Sequence, residues 1–240
     1  MERNSFTLPA AILGAALIVT GAIATYGFFE VKTLADTISV TGSAEMNIES
    51  DVIKWNVEIV HSVDLNGLQQ GNEAMQRDLE SLRAFLKDQG VEDTSVTVQP
   101  YFLETMYDYQ RGGMPSGYTL RQTVMVESSD IPKVKAAVEA ANALLAKGAL
   151  ITTISVEYYY SKLADLKQQI LADAMADAKL RAEKIVASAG GKLGSLRSSS
   201  MGVLQVTARN SVEVADYGMY DTSVEEKKVT AVVRGEFGIK

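Results

Sequence analysis

The chain of 240 residues contains no cysteine, and this absence excludes several kinds of chemistry together. Without thiols there is no disulfide bond, no cysteine nucleophile and no zinc site built on cysteine ligands. A chain without cysteine is compatible with an oxidising compartment, although the absence does not require one.

Histidine is nearly absent as well, since His61 is the one histidine in the chain. Metal sites that need two histidines from one chain are therefore excluded, and a Ser-His-Asp triad would have to use His61 itself. His61 continues the apolar face of a predicted strand. We interpret it as a strand-end histidine with a local partner, and the alternative role is that of a general base.

Positive charge is also scarce, because the formal net charge is -7 and no stripe of lysine and arginine is present. This balance argues against nucleic-acid binding, which needs clustered cations to contact phosphates. The pair Gly190-Gly191 follows a predicted helix, where glycine ends a helix instead of opening a phosphate loop.

Two carboxylates, Asp173 and Asp177, lie four residues apart on a predicted helix and so share a face. They are candidates for acid-base work or for binding a hard cation, but nearby lysine and arginine favour a solvated, charged face. We therefore expect no metal, no cofactor and no enzymatic activity.

One long apolar run is present, and residues 6–29 carry no charge. As a helix this run spans about 36 Å, enough to cross a hydrocarbon core of about 30 Å. The pattern predicts a short cytoplasmic segment (1–5), a transmembrane signal-anchor (6–29), a linker (30–36) and an exported domain (37–240).

The alternative for this run is a cleaved signal peptide that releases a soluble periplasmic protein. Ala22-Ile23-Ala24 fits the small-x-small cleavage pattern, and Arg3 supplies a minimal basic region. The run is longer than the apolar core of a usual signal peptide, so we favour the anchor.

Hydrophobic periodicity predicts an α+β fold for the domain. Strand-like alternation covers residues 35–46, 51–62, 94–107, 118–128 and 150–160, whereas helical spacing covers 65–86 and 129–148. From residue 51 onward the order is β-α-β-β-α-β, the ferredoxin-like split unit. A long alanine-rich helix from about residue 161 to 190 and two C-terminal strands, near 192–208 and 227–239, complete the domain.

Two loops are unusually rich in tyrosine and methionine, and the long helix is rich in alanine. We interpret these features as a protein interface, because tyrosine and methionine are enriched in interface cores and small residues permit close packing. A copper(I) site, an oxidation-sensing surface and ordinary loop composition are the alternatives. The candidate interface residues are Met106, Tyr107, Tyr109, Met114, Ala172, Ala176, Tyr217, Met219 and Tyr220.

An ordered set of short motifs extends over residues 37–240 and resembles the SIMPL-domain family. The set is Ile38-Ser39-Val40-Thr41-Gly42 followed by Asp51, then Gly117-Tyr118, Gly148 ahead of residues 151–156, and Gly190-Gly191-Lys192-Leu193-Gly194. The resemblance implies a periplasmic or surface-associated bacterial protein without established catalytic activity. It also implies relatives that form large ring-like homo-oligomers, and a loose association with envelope or oxidative stress.

Two functions from different classes remain open. The first is a non-catalytic scaffold or channel-like ring that self-assembles as a homo-oligomer. The second is a monomeric or small-oligomer module in the periplasm that binds a small molecule or a metal, or an uncharacterised enzyme. No further protein partner is indicated.

Overall fold

The computed structural model describes residues 7–34, 36–211 and 217–240. The predicted cytoplasmic segment 1–5 and part of the second Tyr/Met loop, residues 212–216, lie outside the described residues.

The N-terminal apolar run forms one helix, α1 (Thr7–Leu34). Within it, the 20 residues Pro9–Phe28 are long and apolar enough to cross a membrane, and none of them is buried in the protein. Twenty helical residues span about 30 Å, which matches the hydrocarbon thickness of a bilayer. Length and composition therefore fit a membrane anchor, and a signal sequence meets the same test.

The chain divides into two compact units. The first comprises residues 1–45, 168–204 and 230–240, and the second comprises residues 46–167 and 205–229.

The second unit is built on an antiparallel sheet with helices between its strands. Its helices are α2 (Leu68–Asp88), α3 (Ile131–Ala140) and α4 (Asn142–Ala146). Its strands β2, β3, β5 and β6 lie in the order β3-β5-β2-β6, and β4 pairs with β5 beyond the end of β3. The predicted β-α-β-β-α-β unit is thus confirmed. The strand bounds are β2 Val52–Asp64, β3 Val96–Val98, β4 Phe102–Asp108, β5 Met114–Ser128 and β6 Ile151–Tyr159.

One apolar core joins the sheet of the second unit to its helices. Alternate residues of β2 are fully buried, and they pack with the buried face of α2 and with α3. Each large side chain buried in this way contributes about 1.5–3 kcal/mol. The main contributors are Ile53, Trp55, Val57 and Ile59 of β2, Met75, Leu82 and Leu86 of α2, and Ile131 and Val134 of α3.

The structure differs from the predicted elements in three places. The strand predicted for residues 94–107 is interrupted around Pro100, which has no N–H to donate to a ladder, so β3 and β4 are separate strands. The second helix is divided into α3 and α4 at Ala141, and α2 begins at Leu68 instead of Leu65.

The first unit contains the long helix and the remaining long strands. These are α5 (Leu163–Ser188), β1 (Thr37–Glu49), β7 (Leu193–Met201) and β10 (Glu226–Ile239). The second sheet has the strand order β1-β10-β8-β9, with β7 also paired to β10. Its short strands β8 (Gln205–Ala208) and β9 (Met219–Tyr220) belong to residues 205–229 of the second unit. The strand predicted for residues 192–208 is therefore two strands, β7 and β8.

The alanine-rich helix α5 packs unusually close to β1 at Gly42. A Cβ atom at Gly42 would lie 2.3 Å from the carbonyl oxygen of Ala174 and 2.3 Å from the amide nitrogen of Ala178. Both alanines are fully buried, as is Ala182 one turn further on. Small residues on α5 thus serve packing within the chain, and only glycine fits at position 42.

The end of β6 and the start of α5 are fastened to the β1–β2 turn by Asp51. The carboxylate of Asp51 accepts hydrogen bonds from the Ser161 backbone N–H (2.7 Å) and hydroxyl (2.6 Å). Partial desolvation would raise the pKa of Asp51, but the hydrogen bonds from Ser161 outweigh it, and the pKa lies below its usual value of 3.8.

The first prediction concerns Gly42. Gly42→Ala should lower the free energy of unfolding by about 2–3 kcal/mol, because the new methyl group overlaps the backbone of α5. Urea unfolding followed by far-ultraviolet circular dichroism measures the loss. The neighbouring exposed change Thr41→Ala should cost under about 1 kcal/mol. Equal losses of unfolding free energy in Gly42→Ala and Thr41→Ala would contradict the close approach of α5 to Gly42.

The second prediction concerns Asp51 and pH. Asp51→Asn should lower the free energy of unfolding by about 1 kcal/mol at neutral pH, because a charge-assisted hydrogen bond is lost. A carboxyl with a lowered folded pKa stabilises the protein above its unfolded pKa, and the stabilisation is lost as pH falls through the folded pKa. The difference between wild type and variant should therefore shrink below about pH 4.

Urea unfolding at neutral and acidic pH measures this difference, with Asp173→Asn as the control. Asp173 is exposed, and that substitution should show little effect at either pH. A difference between wild type and Asp51→Asn that stays constant with pH would exclude the proposed role of the carboxylate.

Candidate interaction surface

The first Tyr/Met loop connects β4 and β5, which form an antiparallel hairpin. The register runs from Phe102 opposite Arg121 to Asp108 opposite Met114, with an irregularity between Met106 and Tyr107. The carboxylate of Asp108 orders the turn by accepting from the backbone N–H of Gln110 (2.9 Å) and that of Arg111 (3.2 Å). The connection from β4 to β5 is therefore an ordered hairpin turn.

Strand β4 lies at an edge of its sheet and carries exposed apolar side chains. Within the described residues it pairs only with β5, so one side of its backbone has no strand partner. Phe102, Leu103 and Tyr107 are 62%, 51% and 51% exposed, and Tyr109 and Met114 near the turn are still more open. We call these five residues the β4 edge surface.

Phe102 and Leu103 were not among the interface candidates predicted from the sequence. Neighbouring residues of a strand point to opposite faces. Two consecutive large apolar residues that are both exposed thus place apolar surface on both faces of β4. The adjacent Phe102 and Leu103 could have indicated an exposed apolar surface from the sequence, because a solvated strand face is normally polar.

Met106 differs from its predicted partners because it is half-buried. It lies beside Gly117, where an added Cβ would meet the methyl of Met106 at 2.9 Å and the backbone oxygen of Val63 at 2.2 Å. Gly117 therefore permits the close pairing of β5 with β2. The Met106 side chain therefore packs mainly within the protein, and a smaller part of it is exposed to another molecule.

The second Tyr/Met loop is largely engaged within the second unit. The ring of Tyr220 stacks on Tyr159, with centroids 6.0 Å apart, and its hydroxyl accepts from the Tyr160 N–H at 3.1 Å. Met219 is half-buried, whereas Tyr217 is 91% exposed. Of the three predicted residues here, only Tyr217 is freely available to another molecule.

A buried lysine stabilises this loop, and the sequence pattern did not indicate it. Lys227 lies on the buried face of β10, and its ammonium donates to the backbone oxygens of Asp221 and Val224. Its nitrogen also lies 5.8 Å from the centre of the Tyr220 ring. Desolvation lowers the pKa of Lys227, against an opposing effect of the Asp221 charge.

The predicted interface residues of the long helix, Ala172 and Ala176, are exposed on α5. They precede the half-exposed Leu180 at intervals of four residues, so the three share one face. This face is available for contact but offers little apolar area, because two of its three members are alanine.

His61 has the local partner that we expected. Its Nε2 lies 2.8 Å from Oδ2 of Asp78, and the same oxygen accepts the Leu150 N–H at 2.9 Å. The nearby Ser81 hydroxyl donates to the backbone oxygen of Arg77, its own helix. The pair thus fastens β2, α2 and the start of β6, and Ser81 is not arranged as a nucleophile activated by His61.

The two carboxylates considered for acid-base work have different surroundings. Asp177 accepts the Ser43 N–H at 2.9 Å and pairs with Arg181 at 2.8 Å, and these contacts hold its pKa below the usual value. Asp173 is exposed. In the described part of the chain, no group of three or more metal-ligating side chains comes together.

Comparison with known proteins identifies the family of the chain. Among curated proteins no match was found. The sequence profile of a family described as SIMPL, protein of unknown function (DUF541), matches residues 38–237. Since this match spans well over half of the chain, the protein belongs to the SIMPL family.

Proposed function

We propose that this chain is a non-catalytic, membrane-anchored protein of the bacterial envelope whose periplasmic domain self-assembles into a large closed homo-oligomer. Such an assembly would act as a scaffold or a channel-like ring. The observation that carries the proposal is the β4 edge surface, an unpaired strand edge with large apolar side chains on both faces.

An unpaired, apolar strand edge promotes aggregation in a protein that stays monomeric. Natural edge strands are blunted by lysine, proline or a covering loop, because an open edge pairs with other chains. Between Phe102 and Tyr107 the one charged residue of β4 is Glu104. Strand β4 contains no lysine or proline, and its irregularity lies at the far end, between Met106 and Tyr107, so the Phe102–Leu103 end of the edge is open to a second copy.

The opposite edge of the same sheet favours a ring over a simple dimer. Strand β6 forms that edge, and Thr222 covers its C-terminal part by accepting the Tyr158 N–H at 2.8 Å. Ile154, which is 55% exposed, lies at an irregularity in the β2–β6 register, in the part of β6 that remains open. If β4 of one copy meets this open part of β6 in the next, both edges are covered in every copy. Contacts between two different surfaces generate a ring when the rotation closes, whereas a two-fold contact between β4 strands would leave β6 open.

The apolar helix α1 supports assembly without providing the main contact. Anchoring holds the domains in one plane beside one membrane, and tethering of this kind raises the effective concentration of weakly binding surfaces. The arrangement of His61, Asp78 and Ser81 supports the non-catalytic part of the proposal, because the donors and acceptors there are used to hold the fold.

The third prediction tests the edge contact. Leu103→Lys and Ile154→Lys should each lower the mass of the detergent-solubilised oligomer, measured by size-exclusion light scattering, because each places a charge in a contact that excludes water. Both positions are exposed in the single chain, so the fold should survive, as circular dichroism would show.

Leu180→Lys on α5 is the matched control, since Leu180 is similarly exposed but lies on neither edge. Its oligomer should keep the wild-type mass. If Leu180→Lys dissociated the oligomer and the two edge variants did not, the interface would lie on the alanine face of α5. That result would refute the edge contact.

The fourth prediction concerns the anchor. The full-length protein should stay with the membrane after alkaline carbonate extraction, because α1 buries about 20 apolar residues in lipid. Mass spectrometry of the mature protein should find the N-terminus at Met1 or Glu2. A mature N-terminus at Thr25 would establish the signal-peptide alternative instead.

A further inference from the structure

A cleft of about 560 Å³ lies within the second unit, between α2 and the connection from α4 to β6. Small-molecule sites in proteins usually occupy about 300–1,000 Å³, so the cleft has the capacity for a ligand. His61 and Asp78 line it, and the assembly proposed above makes no use of it.

The charges of this cleft are unevenly compensated. Asp78 is already engaged within the fold, because its Oδ2 lies 2.8 Å from His61 Nε2 and accepts the Leu150 N–H at 2.9 Å. The remaining charged residues of the lining are Arg77, Lys147 and Asp88. Within the described residues, neither Arg77 nor Lys147 has a carboxylate within ion-pair distance.

With His61 neutral, the formal charge of the lining is zero, because Arg77 and Lys147 balance Asp78 and Asp88. Asp78 is already hydrogen-bonded within the fold, so among the described residues two cations but only one carboxylate of the lining, Asp88, are left to meet a ligand. This set matches a ligand with one negative charge that contacts both cations, whereas a dianion such as a phosphate monoester would lie near both carboxylates without enough compensation.

Most of the remaining lining is apolar, so it favours a ligand with an apolar body. Phe85 contributes an aromatic ring, and Leu144, Ala74 and Ala84 contribute aliphatic surface. Binding sites commonly combine an apolar wall with a few polar groups that fix the orientation of the ligand. Arginine and lysine are the usual partners of a carboxylate in such sites.

We propose that this cleft binds a small amphipathic monocarboxylate, with the carboxylate at Arg77 and Lys147 and the apolar body against Phe85 and Leu144. The site is distinct from the proposed assembly contact, because every lining residue belongs to one chain and none belongs to the β4 edge surface. Failure of one proposal therefore leaves the other standing.

The test uses the full-length protein in nanodiscs of zwitterionic lipid, with empty nanodiscs as the blank. The probe is 2-naphthoate, and its neutral amide is the matched control ligand. Isothermal titration should give a Kd tighter than about 1 mM for the carboxylate. The amide should bind at least about tenfold more weakly, because it cannot form charge-assisted hydrogen bonds.

Substitutions locate the site. The double variant Arg77→Gln, Lys147→Gln should weaken naphthoate binding by about tenfold or more, since both cationic partners are removed. Arg83→Gln removes the same charge from the same helix but outside this cleft, and binding should be unchanged. Circular dichroism should show all variants folded, because the three side chains are exposed.

The single histidine gives a second readout. Naphthoate at saturation should slow carbethoxylation of His61 by diethyl pyrocarbonate, followed by mass spectrometry of its peptide. Equal binding of acid and amide, unchanged binding in the double variant, or unprotected His61 would each overturn the proposal.

Discussion

The pairing of β2 with β5 is the constraint on which the second unit depends. Residues 53–64 run antiparallel to residues 117–128 without a register shift. The ladder places the alternating apolar residues of β2 on one face, where α2 and α3 cover them. It also fixes β6 on one flank and β3 and β4 on the other, so the exposed edges follow from the same pairing.

Three residues of the motifs that resemble the SIMPL family hold the fold together in this chain. Gly42 admits the backbone of α5, Gly117 admits the backbone of β2, and Asp51 fastens Ser161. The two glycines permit a close approach of two backbones, and Asp51 accepts hydrogen bonds from donors of Ser161.

The sequence predicted those parts of the structure that are set by local periodicity. Alternation in four segments and helical spacing in two predicted the β-α-β-β-α-β order, and the position of His61 at a strand end predicted its local partner. The sequence did not predict which tyrosines are exposed. Tyr220 stacks on Tyr159, and Lys227 is buried under the same loop, because residues far apart in sequence meet there.

Hydrogen exchange at β4 tests the central claim most directly. In the assembled protein, amides of β4 that do not bond to β5 should exchange slowly, because a neighbouring copy pairs with them. In Ile154→Lys, which changes the opposite edge, the same amides should exchange rapidly once the oligomer dissociates, since protection depends on the partner. Rapid exchange of β4 in the wild-type protein, equal to that in the variant, would contradict assembly through this edge.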